Sequence, residues 1–490
     1  MRPDQWVTAA VVLLTACGPA RLLTRPEGNG GWSPERRQEE LSARAAAAGV
    51  DLGPSGDTAV PSTTGPPARP LDLPTALALA AHGNRRIAEA EKDLDVAEAR
   101  FRDARGRLLP ATTGSGRYTR FTDELTTNVV LPPTLLKTLG GKAPTVAVRA
   151  EEAAVFNGTV TVPLDLTGEI VHALRAAQAG YRGERARLWA TTLEQQLVVI
   201  RGYFDLLEAE RLRDVTRQTL ASERQQLASA ESRFENGRLT KNELLVVQVA
   251  VRNAEQLLLQ RDLAIDQARW ALNQAIGLAV DAPTEVVDVA TPPEVPAVDA
   301  ALRQAYTTNP ALAALFEEQQ RLEDTATALV RSRFPRVSGG GTVDYTTSGI
   351  VQPQRFGSGF VGFTWDLGTD GRREAEIAEA RATAERNRIE VERALRELEA
   401  LVRTTQRAAE ERLAALAAAE VAVGQADENL RIRRQQFDAG RATSDDVLIA
   451  EAILASERAT LASALYQAHT RRAELQRLMG LPLDALTAER

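Results

Sequence analysis

The chain has 490 residues, of which 44% are hydrophobic and 26% charged, but only 4% are aromatic. Ala, Leu, Arg and Glu dominate instead, which is typical of long helices and coiled coils rather than of a compact core of this size. The formal net charge of −7 argues against a nucleic-acid-binding protein, which concentrates Lys and Arg in a basic stripe.

The first residues, MRPDQWVTAAVVLLTACGPA, have the layout of an export signal. One Arg precedes an apolar run from Trp6 to Leu14, and the tetrapeptide LTAC ends at Cys17. This tetrapeptide resembles a bacterial lipobox, in which residues 1–16 are removed as a signal peptide and lipid is attached to Cys17. The alternative is an ordinary signal peptide with an incidental cysteine. The residue after the cysteine, Gly18, resembles the one at that position in lipoproteins that are forwarded to the outer membrane.

Residues 17–70 are rich in Pro, Gly, Ser and Thr, and this composition indicates an extended tether, here with a lipid at its start. Beyond the tether, no segment approaches the roughly 18 to 20 continuous apolar residues of a membrane helix. If the protein crosses a membrane, it must therefore do so with strands.

From residue 71 onward the sequence repeats itself, as residues 71–283 and 284–490. Each copy has the predicted order helix, strand, strand, long helix, helix. The first copy carries an insertion of about two dozen residues, within 122–156, for which the sequence predicts no structure. The matched landmarks are Asn84 with Asn309, Asp165 with Asp366, and Gly277 with Gly480.

Four segments alternate as strands, at about 111–121, 156–165, 336–346 and 357–367. In VGFTWDL, Val361, Phe363 and Trp365 share one face, and small or polar residues share the other. This alternation is typical of a membrane barrel, although a half-buried sheet in a soluble protein shows it too. Four strands leave two open edges, which are costly in lipid. Two chains would give eight strands and a filled interior, whereas three give twelve and an open lumen, so strands in lipid predict a trimer.

The long helix of each copy shows a steady 3-4 spacing of apolar residues, which in the second copy runs from Arg372 to Phe437. A mean spacing of 3.5 residues indicates supercoiled helices that pack knobs-into-holes. The stretches GRLT and GRAT then mark corners where the chain turns back into a second helix. Gly237 and Gly440 are free to take the positive φ of a helix end.

The doubled plan, the PLDLTG and WDLGTDG stretches after the strands, and the two G-R-x-T corners resemble the TolC-like outer membrane efflux protein family, in its lipoprotein branch. The resemblance covers nearly everything from Leu71 to Leu483. It implies a mainly α fold with membrane β: a homotrimer with a 12-stranded β-barrel in outer membrane lipid, continued by a 12-helix α-barrel tunnel. It also implies two partners, a periplasmic adaptor and an inner-membrane pump of the RND or ABC type, and no cofactor.

The resemblance also implies two sets of site residues. The adaptor-docking tips are Gly237, Arg238, Leu239, Thr240, Gly440, Arg441, Ala442 and Thr443. By position, Asp446 matches an aspartate that rings the closed end of the tunnel. The second aspartate of that ring is replaced by Ile449, and Glu243 is the counterpart of Asp446 in the first copy. Arg441 or Asn242 could offset the repulsion within the ring, and a favourable helix N-terminus is the alternative role for Asp446.

The remaining motifs give weaker evidence of a function. Asp165 and Asp366, at the strand-helix junctions, are interpreted as helix caps, as carboxylates that face the lumen, or as both. The G-x-G-x-x-G of residues 357–362 runs on into a strand and not into a helix, which argues against a dinucleotide site. The three histidines lack metal-ligand spacing, and no nucleophile motif is present, so neither a metal site nor catalysis is predicted.

Two classes of function follow from these features. The first is a passive exit duct of an efflux or type I export system, and the second is a secreted coiled-coil scaffold lipoprotein without a pore. The strands favour the duct, because a scaffold does not need four alternating segments at matching places. The sequence does not distinguish among drugs, metal ions and proteins as the cargo.

Overall fold

The computed structural model describes residues 70–133, 137, 140, 145–237, 239–289, 291–348, 350–368 and 371–483. Its elements are α1 (Leu73–Gly83), α2 (Arg85–Gly106), β1 (Ala111–Arg120), β2 (Leu125–Asn128), β3 (Thr145–Arg149), β4 (Glu152–Leu164), α3 (Glu169–Glu235), α4 (Lys241–Ile276), α5 (Val298–Thr308), α6 (Pro310–Arg331), β5 (Arg336–Thr346), β6 (Arg355–Thr364), α7 (Arg372–Asp438) and α8 (Ser444–Leu478). Helix dominates, and the predicted class of a mainly α chain with strands is confirmed.

The helix that precedes the first strand of each copy is broken, where the sequence predicts a continuous one. Asn84 separates α1 from α2, and Asn309 separates α5 from α6. Each Asn side chain accepts from the backbone of the helix that it begins and donates to a carbonyl at the end of the partner helix. The two acceptors are Ala275 O, at 3.2 Å from Asn84, and Leu478 O, at 2.9 Å from Asn309. The matched asparagines therefore fix the same junction twice.

Glycine completes each of these junctions. Gly277, with φ of 80°, follows α4, and Gly480, with φ of 69°, follows α8. A Cβ on Gly277 would lie 2.7 Å from Gly83 O, and one on Gly480 would lie 2.1 Å from Thr308 O. Both the left-handed backbone and the close approach require a residue without a side chain, which explains why these glycines match between the copies.

The long helices α3 and α7 have 67 residues each, or about 100 Å at about 1.5 Å per residue. Each packs along the helix that follows it. The predicted 3-4 spacing of α7 is confirmed by its buried residues, among them Leu398, Val402, Ala409, Leu416, Ala419, Ala426 and Leu430. The largest core cluster lies where α1, α3, the end of α4 and α8 meet, around Tyr203, Phe204 and Tyr466.

The four main strands form one antiparallel sheet in the order β1-β4-β5-β6. The register places Tyr345 beside Phe156, and Val337 beside Phe363, on one apolar face that also carries Val361. The opposite face is largely polar: Asn157 Nδ2 donates to Asp344 Oδ1 at 2.6 Å, and the hydroxyls of Thr342 and Ser358 lie 2.8 Å apart. Apolar side chains on the polar face include Val155, Phe356 and Phe360.

The described part of the insertion contains a second, two-stranded antiparallel sheet of β2 and β3, for which the sequence predicts no structure. The Arg149 guanidinium lies 3.9 Å from the centre of the Phe121 ring, and Phe121 N donates to Glu151 O at 2.6 Å. These contacts join the base of the insertion to the ends of β1 and β4.

Candidate functional site at the helical corners

The first corner joins α3 to α4 through a glycine turn and a capped helix start. Gly237 has φ of 69°, which confirms the predicted positive φ, and its amide donates to Phe234 O at 2.9 Å. Thr240 Oγ1 accepts from Glu243 N at 3.3 Å, and Glu243 Oε2 accepts from Thr240 N at 2.9 Å. This reciprocal pair is a capping box. Arg238 lies outside the described residues.

The second corner, between α7 and α8, has the same geometry. Gly440 has the predicted positive φ, at 70°, and donates to Phe437 O at 3.0 Å. Thr443 Oγ1 accepts from Asp446 N at 3.2 Å, and Asp446 Oδ2 accepts from Thr443 N at 2.8 Å. The local sequence G-R-x-T followed by an acid three residues after the Thr therefore produces the same corner twice.

The capping boxes determine the charge of the two candidate gate carboxylates, Asp446 and Glu243. Hydrogen bonds from the backbone and side chain of Thr443 lower the pKa of Asp446, and those of Thr240 lower the pKa of Glu243. Both groups are therefore charged at neutral pH. Within one chain, Asp446 has the helix-capping role that was the alternative interpretation, and its donor is Thr443 rather than Arg441 or Asn242. A ring formed by three copies stays a prediction.

A contact between α3 and α7 holds the two corners together. The Arg233 guanidinium lies over the Phe437 ring, 4.1 Å from its centre, and donates to Phe437 O at 3.4 Å and to Asp438 Oδ1 at 3.2 Å. About two turns further back along α3, Gln226 Nε2 donates to Ser444 O at 3.2 Å. The start of α8 is thereby attached to α3.

Ile449 lies on the wall of a groove of about 630 Å³ that runs between α4 and α8 over α3. Its side chain is 52% exposed, and Leu448 and Leu257 contribute further apolar surface to the same groove. The position is consistent with an apolar layer next to the corner, but whether Ile449 faces a tunnel depends on the other copies and stays a prediction.

A buried polar cluster lies behind the corner, where α3, α7 and α8 meet. Glu451 Oε1 accepts from Ser222 Oγ at 2.6 Å and from Arg434 Nη2 at 2.6 Å. The Glu451 side chain is 4% exposed. Burial, together with the charge of Glu451, raises the pKa of Glu223 to about 7.

These residues are absent from the sequence-based site. A signal for them exists, because Glu451 lies four residues after Val447 and three before Leu454, and both of these are buried. A carboxylate at a core position of a 3-4 repeat is unusual unless it is paired. That criterion, applied along α8, selects Glu451.

The junction aspartates behave differently from each other. The N-cap positions are Gly168 and Gly371, so the prediction that Asp165 and Asp366 are N-cap residues is wrong in position. Asp165 Oδ2 still accepts from Val171 N at 2.9 Å and so satisfies an amide in the first turn of α3. Asp366 instead lies 3.6 Å from Arg373, whose Nη1 also donates to the Asp366 carbonyl.

The histidines considered as metal ligands lie at separate places in the structure. His172 Nδ1 lies 2.8 Å from Asp324 Oδ1, and the His469 ring stacks on Phe204. Across the described ranges, no group of three or more His, Cys, Asp or Glu side chains is placed to hold a metal ion. Cys17, the predicted lipidation site, lies outside the described residues.

Within the part of the chain that the structure describes, no helix is both long enough and apolar enough to span a membrane.

Comparisons with known proteins agree with this geometry. The family model described as outer membrane efflux protein matches residues 76–278 and 301–481. A search of curated proteins gave no match.

Several solved structures are similar. The outer membrane protein VceC of Vibrio cholerae is 17% identical over 84% of this chain and 96% of its own, with a TM-score of 0.71. The CmeC outer membrane channel of Campylobacter jejuni is 14% identical over 94% and 93%, also with a TM-score of 0.71. The MtrE outer membrane channel of Neisseria gonorrhoeae is 18% identical over 84% and 89%, with a TM-score of 0.66. At these identities the likeness shows the fold.

Proposed function

Because the chain belongs to the outer membrane efflux protein family, we propose that it is the exit duct of a tripartite export system. It is an efflux channel and not an enzyme. In this proposal the duct conducts its cargo passively from a periplasmic adaptor and an inner-membrane pump, of the RND or ABC type, to the outside.

The four-stranded sheet is the observation that carries the proposal. Its two faces differ in polarity, and within the described chain β1 and β6 each pair on one side only. Three copies joined edge to edge would give twelve strands, and the long helices that continue from the sheet would line the tunnel. The apolar face would then contact lipid and the polar face would line the lumen.

The corners are the surface that we assign to the adaptor. A Cβ built on Gly237 or Gly440 meets no atom within 4 Å, so the tips are open in this chain. We assign docking to residues 237–240 and 440–443, and the constriction to Asp446 and Ile449 with Glu243, Asn242 and Arg441 nearby. The proposed tether, residues 17–70, would attach the chain to the outer membrane through lipid on Cys17.

Adjacent residues of β6 test the assignment of the faces. Val361 is 79% exposed on the apolar face, whereas Gly362 lies on the opposite face with no atom within 4 Å of an added Cβ. An arginine on a lipid-facing position costs about 2 to 4 kcal/mol at the membrane midplane. Val361→Arg should therefore block insertion into outer membranes, while Gly362→Arg should insert and change conductance in planar bilayers.

The same pair separates the duct from a pore-free scaffold. In a scaffold, both arginines would face water or protein, so neither variant would change the membrane-inserted fraction and no form would conduct. If Gly362→Arg blocks insertion and Val361→Arg does not, the two faces are assigned the wrong way round.

A bulky substitution tests the docking tip. Gly440→Trp should abolish efflux in cells while trimers still form, because the indole would occupy the surface on which the adaptor sits. Gly424→Trp is the matched control, since Gly424 lies within α7, also with no atom within 4 Å of an added Cβ. Normal efflux in cells that carry the Gly440 variant would place docking elsewhere.

A further inference from the structure

Two carboxylates lie on either side of the contact between α3 and α8, where Ser222, the neighbour of Glu223, donates to Glu451, and each carboxylate has one oxygen without a protein donor. Glu451 Oε1 is satisfied by Ser222 and Arg434, but Glu451 Oε2 is shielded from solvent and accepts no hydrogen bond from the protein. Glu223 Oε2 is shielded in the same way. An unsatisfied buried oxygen of this kind is costly, and two of them close together repel each other when both groups are charged.

The surrounding charges do not resolve this conflict by themselves. From α7, Arg434 is already bonded to Glu451 Oε1 and Ser222. On α3 itself, Arg224 is bonded to Glu255 of α4. Arg261 of α4 lines the same groove as Glu223. The group that acts most strongly on Glu223, after burial itself, is the like charge of Glu451.

We propose that Glu223 and Glu451 share one proton and that this pair is a proton-sensitive lock between α3 and the start of α8. The proton resides on Glu223, whose hydroxyl donates to Glu451 Oε2, so that one hydrogen bond satisfies both unpaired oxygens. Loss of the proton leaves two negative charges in a partly desolvated contact, and α8 separates from α3. The consequence for conduction rests on the proposed function, in which the α8 corner closes the duct.

The direction and size of the effect follow from linkage. In the locked state the pKa of Glu223 is about 7, whereas an exposed glutamate titrates near 4.3. The locked state therefore binds the proton more tightly, is favoured at low pH, and loses this advantage as the pH rises through about 7. Between pH 6 and pH 8, the ratio of locked to unlocked corners should fall roughly tenfold per copy.

Infrared spectroscopy of the purified full-length protein in detergent tests the shared proton without reference to conduction. The wild-type spectrum at pH 6 minus that of Glu223→Gln should contain a protonated carboxyl band that titrates away with a midpoint near pH 7. Glu231→Gln, at an exposed position of the same helix, is the matched control and should leave this band unchanged. A band that is missing at pH 6, or that titrates below pH 5, would overturn the shared proton.

Planar-bilayer recordings test the lock. Wild type and Glu231→Gln should show at least about a tenfold rise in the ratio of open to closed time from pH 6 to pH 8, since each of the three copies contributes its own factor. Glu223→Gln should show no such rise, because its amide donates to Glu451 at every pH. If this variant conducts and keeps the wild-type pH response, the lock is wrong. If no form of the chain conducts, the proposed channel function fails, and the infrared result still decides whether the proton is shared.

Discussion

Asp446 combines two roles that single substitutions can separate. Its carboxylate closes the capping box of α8 with Thr443, and in the proposed trimer three copies of it would supply the charge of the constriction. Asp446→Asn keeps an oxygen that can accept from Thr443 and removes the charge. Thr443→Ala removes the cap and keeps the charge.

The two variants should therefore affect different measurements. Loss of a threonine N-cap costs about 1 kcal/mol, which is roughly a fivefold increase in fraying of the first turn of α8 in each copy. Thr443→Ala should raise the resting conductance and leave cation selectivity near that of wild type. Asp446→Asn should weaken cation selectivity and block by multivalent cations, because the negative charge at the constriction is removed.

Reversal potentials in a salt gradient and titration with a trivalent cation, both in planar bilayers, measure these effects. Unchanged selectivity together with unchanged block in Asp446→Asn would place the constriction elsewhere. If Thr443→Ala reduces selectivity as strongly as Asp446→Asn does, Asp446 acts through the start of the helix and not through a charged ring.

Three further substitutions test other parts of the account. Cys17→Ser should abolish incorporation of labelled fatty acid while the protein still inserts through its strands; labelling of mature Cys17→Ser protein would exclude the lipobox. Ile449→Ala should widen the resting conductance because an apolar side chain next to the corner is removed, and an unchanged conductance would separate Ile449 from the gate. Gly480→Ala should lower the midpoint of thermal unfolding, since the left-handed backbone alone costs about 1 to 2 kcal/mol and the new methyl group collides with Thr308 O; equal midpoints would contradict the close approach.

Much of the fold follows from local patterns that the chain presents twice. The 3-4 spacing predicts the buried residues of α7, and the alternation in VGFTWDL predicts which residues of β6 share a face. The breaks at Asn84 and Asn309 are missed because helical sequence continues on both sides of each. Each Asn caps the helix that it begins, which is a local cause, and also donates a hydrogen bond to the far end of another helix, which only the tertiary structure shows. The sheet of β2 and β3 has no counterpart in the second copy with which it could be aligned.

The sequence likewise predicts one part of the candidate site and not the rest. The corners, with positive φ at Gly237 and Gly440, follow from the G-R-x-T stretches. Glu451 can be selected only by its core position in the repeat of α8, and Glu223 by no local pattern, because charged residues on long helices usually face water and only the packing of α8 against α3 brings Glu223 into the contact. The N-caps before α3 and α7 are glycines and not the neighbouring aspartates. In each copy the backbone makes one more turn between the end of the strand and the start of the helix.

The number of chains in the intact particle tests the central claim most directly. Full-length protein purified in detergent, unheated and measured by native mass spectrometry, should contain three copies, and heating should convert it to single chains. A stable particle of one or two copies would contradict the account, because four or eight strands cannot enclose an open lumen.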